Sequence, residues 1–448
     1  MRLVLAWALA MSFAITSAAG LARLSPAPRR ASSTGFFLLA LSASPLVAPA
    51  STSRSPGVPL QRMPSHAHPT CPLNRNTSPA TVGLRSFHSS SHNWRSMPQY
   101  TYHVAASYSA KQDNFDAEQN LFTRPLYDPR KSKIEDLREC KEAIDKRKRA
   151  KSGQDAFFFS QVGTTDATTF GVADGVGGWV ESGLDPADFS HGLCEYMACA
   201  ARSWPHGFNT TSLHPKDLLQ VAYDEVTDDA SIEGGGSTAC LAVAEPDGHV
   251  EVANLGDSGF MHLGLNAVRH FTQPQTHAFN TPYQLSKTPQ RMLVQMAVFG
   301  GPTTLSDLPK ESSVTHHKVR HGDVLVFATD GVWDNLSPQD VLGIVSRQMV
   351  DLGAWVERDG TIVVGKNLAK LVQANSSRKA DSSSLQAKVA VAIAKEAKVT
   401  GLNTRRDGPF AREVQRYYPG ENWHGGKPDD IAAVVAVVLE EASPRAKL

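Results

Sequence analysis

The sequence predicts an α+β fold in which antiparallel sheets are covered by helices. Short apolar runs of strand length recur between residues 156 and 439, separated by Gly, Asp, Asn and Pro. Several follow one another as hairpin-like pairs. Helical patterns fall between them, as expected of sheets that bury their faces under helices.

The strands expected are Ala156–Ser160, Thr168–Ala173, Thr238–Ala244, His249–Asn254, Gly259–Leu263, Val314–Val319, Val324–Thr329 and Ile431–Leu439. Val324–Thr329 and Ile431–Leu439 are almost wholly apolar, as in strands covered on both sides. Val250-Glu251-Val252-Ala253 alternates, which suggests one wetter face. Helices are expected over Pro186–Ser203, Lys216–Ser231, Pro338–Asp351 and Leu385–Lys398, with Ser337-Pro338 a favourable helix start. Residues 353–383 are polar and Ser-rich and read as a surface insertion.

Charge divides the chain. Residues 1–112 hold nine Arg, one Lys and no acid, whereas the remaining 336 hold 35 basic and 44 acidic groups. The part able to fold is therefore acidic, which disfavours nucleic acid as a partner and suits divalent cations. Five cysteines (Cys71, Cys140, Cys194, Cys199, Cys240) without paired CxxC spacing fit reduced thiols better than a disulfide framework or a zinc knuckle.

Residues 1–112, rich in Ser, Pro, Ala and Arg, have the composition of a mitochondrial targeting region. Arg85-Ser86-Phe87-His88-Ser89-Ser90 is similar to the arginine-led processing sites of mitochondrial precursors. Residues 3–22 are uncharged and also fit a secretory segment or a membrane anchor. Residues 113–150 read as a polar linker ending in Lys146-Arg147-Lys148-Arg149-Ala150-Lys151. The main folded domain is expected over residues 151–442.

Carboxylates stand at the ends of the most apolar strands. Phe170-Gly171-Val172-Ala173 runs into Asp174-Gly175, Val324–Thr329 into Asp330-Gly331, and Asp429-Asp430 opens Ile431–Leu439. Each alone reads as a turn or cap. Together they point to a shared rim, because antiparallel sheets bring distant strand ends side by side. Asp oxygens with backbone carbonyls select hard ions such as Mg²⁺ or Mn²⁺. Asp174-Gly175-Val176-Gly177-Gly178-Trp179 places small residues where backbone can approach a ligand.

These segments occur in a telling order. Gln154-Asp155-Ala156, Phe170–Gly178, Gly235-Gly236-Ser237-Thr238-Ala239, Asn254-Leu255-Gly256-Asp257-Ser258-Gly259, Ala328-Thr329-Asp330-Gly331-Val332-Trp333-Asp334 and Gly426-Lys427-Pro428-Asp429-Asp430 resemble the motif series of the metal-dependent type-2C protein phosphatases. Val172–Trp179, His277–Leu285 and Gly425–Ile431 resemble, more narrowly, the mitochondrial branch related to yeast phosphatase seven.

The resemblance implies an α-β-β-α sandwich of two antiparallel sheets flanked by helices. It also implies a phosphoserine/phosphothreonine phosphatase acting through water activated by two metal ions. Asp174 would bridge the ions and Gly175 would offer its carbonyl, with Asp330 and Asp429 on the second ion. Asp155 would hold metal-bound water, and Asp257 and Asp334 match the positions of a weaker third ion. Val176 departs from the family, standing where many members have a His, and Gln154 replaces a frequent acid. Lys151 or Arg149 would grip the phosphate, and His277 is a candidate proton donor. A phosphatase-fold binding protein with little turnover, or a phosphatase of small phosphorylated metabolites, fits the same segments less fully.

Overall fold

The computed structural model describes residues 99–123, 149–205, 212–299, 305–373 and 382–441. Its sheet strands are Gln99–Ser109 (β1), Leu121–Phe122 (β2), Asp155–Gln161 (β3), Thr168–Asp174 (β4), Ala239–Ala244 (β5), His249–Leu255 (β6), Gly259–Leu263 (β7), Val268–Phe271 (β8), Ser313–Lys318 (β9), Val324–Ala328 (β10) and Ile431–Glu441 (β11). The principal helices are Pro186–Arg202 (α1), Pro215–Asp228 (α2), Pro338–Asp351 (α3) and Leu385–Gly401 (α4).

Two antiparallel sheets result. One runs in the order β2-β1-β11-β10-β7-β8 and the other β9-β6-β5-β4-β3. Their facing sides bury Phe157, Phe159, Phe170 and Val172 from one sheet against Phe260, Phe327, Val434 and Val438 from the other. The rings of Phe170 and Phe327 meet edge to face with centroids 5.3 Å apart, a favoured aromatic geometry. Helices α1 and α2 cover the outer face of the five-stranded sheet through Phe189, Leu193, Met197, Leu218 and Leu219. On the other outer face, α3 and α4 pack Val341, Val345, Met349, Val389 and Ile393 against Val326, Val435 and Val437. Every layer of the expected sandwich is present.

The helix starts follow local chemistry. Asp185 caps α1 by accepting a hydrogen bond from Ala187 N at 3.1 Å, with Pro186 in the first turn. Ser337 and Asp340 form a reciprocal capping box at the start of α3.

Four expectations need correction. The N-terminal region does not run to residue 112: Gln99–Ser109 pairs along its whole length with β11, from Gln99 opposite Glu441 to Ser109 opposite Ile431. Leu121–Phe122, placed in the linker, pairs with β1 as well. The 353–383 stretch is not merely superficial. Trp355, Leu368 and Val372 are fully buried in the core beneath α3 and α4, and the indole N–H of Trp355 donates to Gly322 O at 3.0 Å. Cys199 is disulfide-bonded, although Cys194 and Cys240 are free and buried.

The first correction has a measurable consequence. A fragment beginning at residue 113 lacks β1 and leaves the apolar edge of β11 unpaired, a template for aggregation. It is expected in the insoluble fraction, whereas the full chain is expected to stay soluble. Comparing the two by sedimentation after expression checks this.

Among the described residues no helix is long and apolar enough to cross a membrane. Residues 3–22 lie outside the described residues.

Candidate metal centre

The ends of β3, β4, β10 and β11 meet at one rim of the sandwich. Asp155, the first residue of β3, lies directly opposite Asp174, the last of β4. The hydroxyl of Thr329 donates to Asp155 Oδ2 at 2.6 Å and accepts from Ala432 N at 3.0 Å. That one side chain ties the end of β10 to β11 and to the other sheet.

Asp330 follows and opens the single-turn helix Asp330–Trp333, placing Asp334 one turn further on. Gly331 is required here: a Cβ would stand 1.8 Å from Asp430 O. Asn335 fixes the opposite loop, with Nδ2 donating to Gly331 O at 2.9 Å and Lys427 O at 2.8 Å. Its Oδ1 accepts from Lys427 N at 2.9 Å. The loop before β11 is thereby held against the Asp330 turn.

Lys427 enters the centre of this arrangement. Its Nζ lies 2.7 Å from Asp330 Oδ2, 2.6 Å from Asp334 Oδ2 and 3.1 Å from Asp429 Oδ2. Asp429 is also 3.7 Å from Lys111 Nζ. Asp430 turns away to accept from the backbone N–H groups of Gln154 and Lys111.

Asp174 is braced by the Gly235–Ser237 strand. Its N–H donates to Thr238 Oγ1 at 3.2 Å, and its carbonyl accepts from Thr238 N and Ser237 Oγ, each at 2.9 Å. Asp257 sits in the turn after β6 beside Gly256, whose φ of 101° suits glycine. Its Oδ1 is buried without a hydrogen-bond partner.

The electrostatics show an excess of negative charge. Burial pushes the Asp174 carboxyl well above the usual range, and Asp330, Asp155, Asp257 and Asp429 push it further. Asp155 is raised by burial and by Asp430. Asp257 is raised to about 7 by burial and Asp330, with Lys427 opposing. In Asp334 burial again prevails over the attraction of Lys427. Asp330 is the exception: burial raises it, but Lys427 and contacts with Asp174 and Asp334 outweigh that and hold it low. Lys427 is raised well above the ordinary lysine range, because the three carboxylates overcome its burial.

The donor set fits hard divalent ions. It contains carboxylates, neighbouring backbone carbonyls and an orphaned buried oxygen, but no thiolate or imidazole. As the side chains stand, no three such groups among the described residues close around a single ion. Asp330, Asp334 and Asp429 close around the Lys427 ammonium instead, so ion binding at 2.0–2.6 Å requires the carboxylates to draw in.

Asp155, Asp174, Asp257, Asp330, Asp334 and Asp429 are therefore brought together at this rim. His277 is not. Its Nε2 lies 3.0 Å from both oxygens of Asp307, and its ring stacks on Tyr283 at 4.2 Å. These contacts make it a brace for the 276–284 hairpin, with no hydrogen bond to the acidic rim. Arg149 is committed to Asp188 at 2.7 Å. Lys151 is exposed and lines a cavity of about 610 Å³ with Arg149, His191 and Glu195. Lys427, Lys111, Thr329 and Asn335 carry no role in the sequence reading. Lys111 had one signal, being the single lysine of the first 112 residues.

Comparison with known proteins points one way. The family model described as Protein phosphatase 2C matches residues 145–373. The chain is 34% identical over 292 residues to the Protein phosphatase PTC7 homolog of Xenopus laevis, covering 64% of this chain and 82% of that one. It is 30% identical over 294 residues to the Protein phosphatase 2C homolog 7, mitochondrial, of Saccharomyces cerevisiae, covering 65% and 75%. Among solved structures, the photosystem II phosphatase PBCP is similar at 25% identity and a TM-score of 0.45, covering 64% of this chain and 91% of that one.

Proposed function

This chain belongs to the protein phosphatase 2C family, and from that premise we propose that its acidic rim removes phosphate from serine and threonine side chains of proteins with a pair of divalent ions. The chain is a metal-dependent protein serine/threonine phosphatase by family. The observation that supports the assignment of the site is the meeting of Asp174 with Asp330, and of Asp330 with Asp429 around Lys427, from three separate strand ends.

Asp174 would serve both ions, with the Gly175 carbonyl on the first and Asp330 and Asp429 on the second. Asp155 would fix water beside them, its own orientation locked by Thr329. When bound, such an ion pair lowers the pKa of water and clamps phosphoryl oxygens. Phosphoryl transfer asks mainly for positioning and charge stabilisation, and the rigid strand ends supply the positioning. Val176 offers no proton to the leaving alkoxide, and His277 is engaged with Asp307. Solvent is therefore the proton source in this scheme. Mg²⁺ and Mn²⁺ both suit the oxygen ligands.

The test is release of phosphate from a phosphothreonine peptide by the full chain with Mn²⁺, Mg²⁺ or EDTA. Metal-stimulated turnover abolished by EDTA is expected; turnover indifferent to EDTA contradicts the proposal.

The site of action is proposed to be the mitochondrial matrix. Support comes from the acid-free, arginine-rich composition of residues 1–112 and from the mitochondrial relative in yeast. A C-terminal fluorescent fusion is expected to co-localise with mitochondria and to lose that pattern when residues 1–96 are deleted. Reticular fluorescence of the intact fusion would instead favour an anchor in residues 3–22.

A further inference from the structure

We propose that Lys427 is a resident cation of the acidic centre, standing where a further divalent ion would otherwise sit, so that the centre takes two exchangeable ions. The proposal rests on the divalent-ion reading above and specifies its stoichiometry.

A lysine ammonium has three N–H donors and no acceptor. Here three carboxylate oxygens surround it at 2.6, 2.7 and 3.1 Å, one each from Asp334, Asp330 and Asp429. Its side chain is 16% exposed, and its Nζ lies 4.9 Å from the centroid of the Phe410 ring, a cation–π approach. The backbone beneath it is pinned in both directions by Asn335. The ammonium is thus placed by the fold rather than by chance of a flexible surface side chain.

Charge balance agrees with this placement. Asp155, Asp174, Asp257, Asp330, Asp334 and Asp429 supply six negative charges, and two divalent ions with the Lys427 and Lys111 ammoniums neutralise them. A further divalent ion among Asp257, Asp330 and Asp334 would have to lie beside the ammonium and compete for the oxygens it already holds. Those oxygens include Asp334 Oδ2, its closest partner. Removing the ammonium frees them and leaves Asp257, with its unpartnered Oδ1, available to join them.

The test counts Mn²⁺ bound to the full-length chain by equilibrium dialysis at saturating Mn²⁺, with far-UV circular dichroism confirming folding. The wild type is expected to hold two ions. Lys427→Met, which keeps the apolar stem but removes the charge, is expected to hold three. Adding Asp334→Asn to Lys427→Met is expected to return the count to two. Lys427→Arg retains a cation and is expected to stay at two, so the wild-type and arginine counts remain decisive if the methionine variant fails to fold. Three ions on the wild type or on Lys427→Arg overturn the proposal, as does a count of two on folded Lys427→Met. In that last case the divalent-ion reading survives. No ion on the wild type removes that reading and this proposal together.

Discussion

Asp174→Asn is expected to lower turnover roughly a thousandfold or more while making the metal-free protein more stable. The loss follows from withdrawing the carboxylate proposed to bridge the ions. Metal stabilisation of transition-state charge is worth several kcal/mol, and about 4 kcal/mol corresponds to three decades in rate. The gain in stability follows from burial and from four neighbouring carboxylates, which hold the Asp174 carboxyl well above its ordinary range. A carboxyl raised in this way stabilises the fold below its unfolded pKa and loses that contribution as pH rises through its folded pKa. Asparagine, uncharged at every pH, removes the loss. In EDTA the melting temperature near neutral pH is expected to rise by roughly 1.5 °C per kcal/mol relieved, with a flatter dependence on rising pH. Unchanged activity would remove Asp174 from the centre, and a lowered melting temperature in EDTA would contradict the repulsion.

Asp330→Asn is expected to abolish activity as fully but to shift stability the other way. Asp330 is ionised and held low by Lys427, which it meets at 2.7 Å. The variant leaves a buried ammonium short of one charged partner, a loss of about 2 kcal/mol for a hydrogen bond to a charged group. The melting temperature in EDTA is expected to fall by roughly 3 °C, at about 1.5 °C per kcal/mol for a domain of this size. Thermal melts of the two variants side by side separate the roles. If both shift in the same direction, the assignment of Lys427 to Asp330 fails.

The strands that frame the centre were plain in the sequence because each is an unbroken apolar run ending at a turn residue. Val324–Ala328 and Ile431–Glu441 are buried on both faces in the sandwich, and their sequences contain little but Val, Ala, Ile, Leu and Phe. The aspartates at their ends were legible for the same reason, since a carboxylate bordering such a strand needs compensation.

Gln99–Ser109 was hidden by its surroundings. Its eleven residues belong to a long acid-free stretch, and composition taken over that stretch outweighs a local pattern with buried Tyr100 and Tyr102. Trp355, Leu368 and Val372 were obscured similarly by the serines that follow them. Lys427 was visible as a letter of a motif but not as a partner, because its carboxylates Asp330 and Asp334 lie 97 and 93 residues away. Such pairing is created by the sheet, which no local periodicity encodes.

The central claim is tested most directly by growing crystals of the full chain with Mn²⁺ and mapping anomalous scattering. Two peaks roughly 3.5–4 Å apart, one against Asp174 and the Gly175 carbonyl and the other among Asp174, Asp330 and Asp429, are the predicted result. Peaks at any other place, with the Asp174 and Asp330 carboxylates bound to no ion, would contradict it.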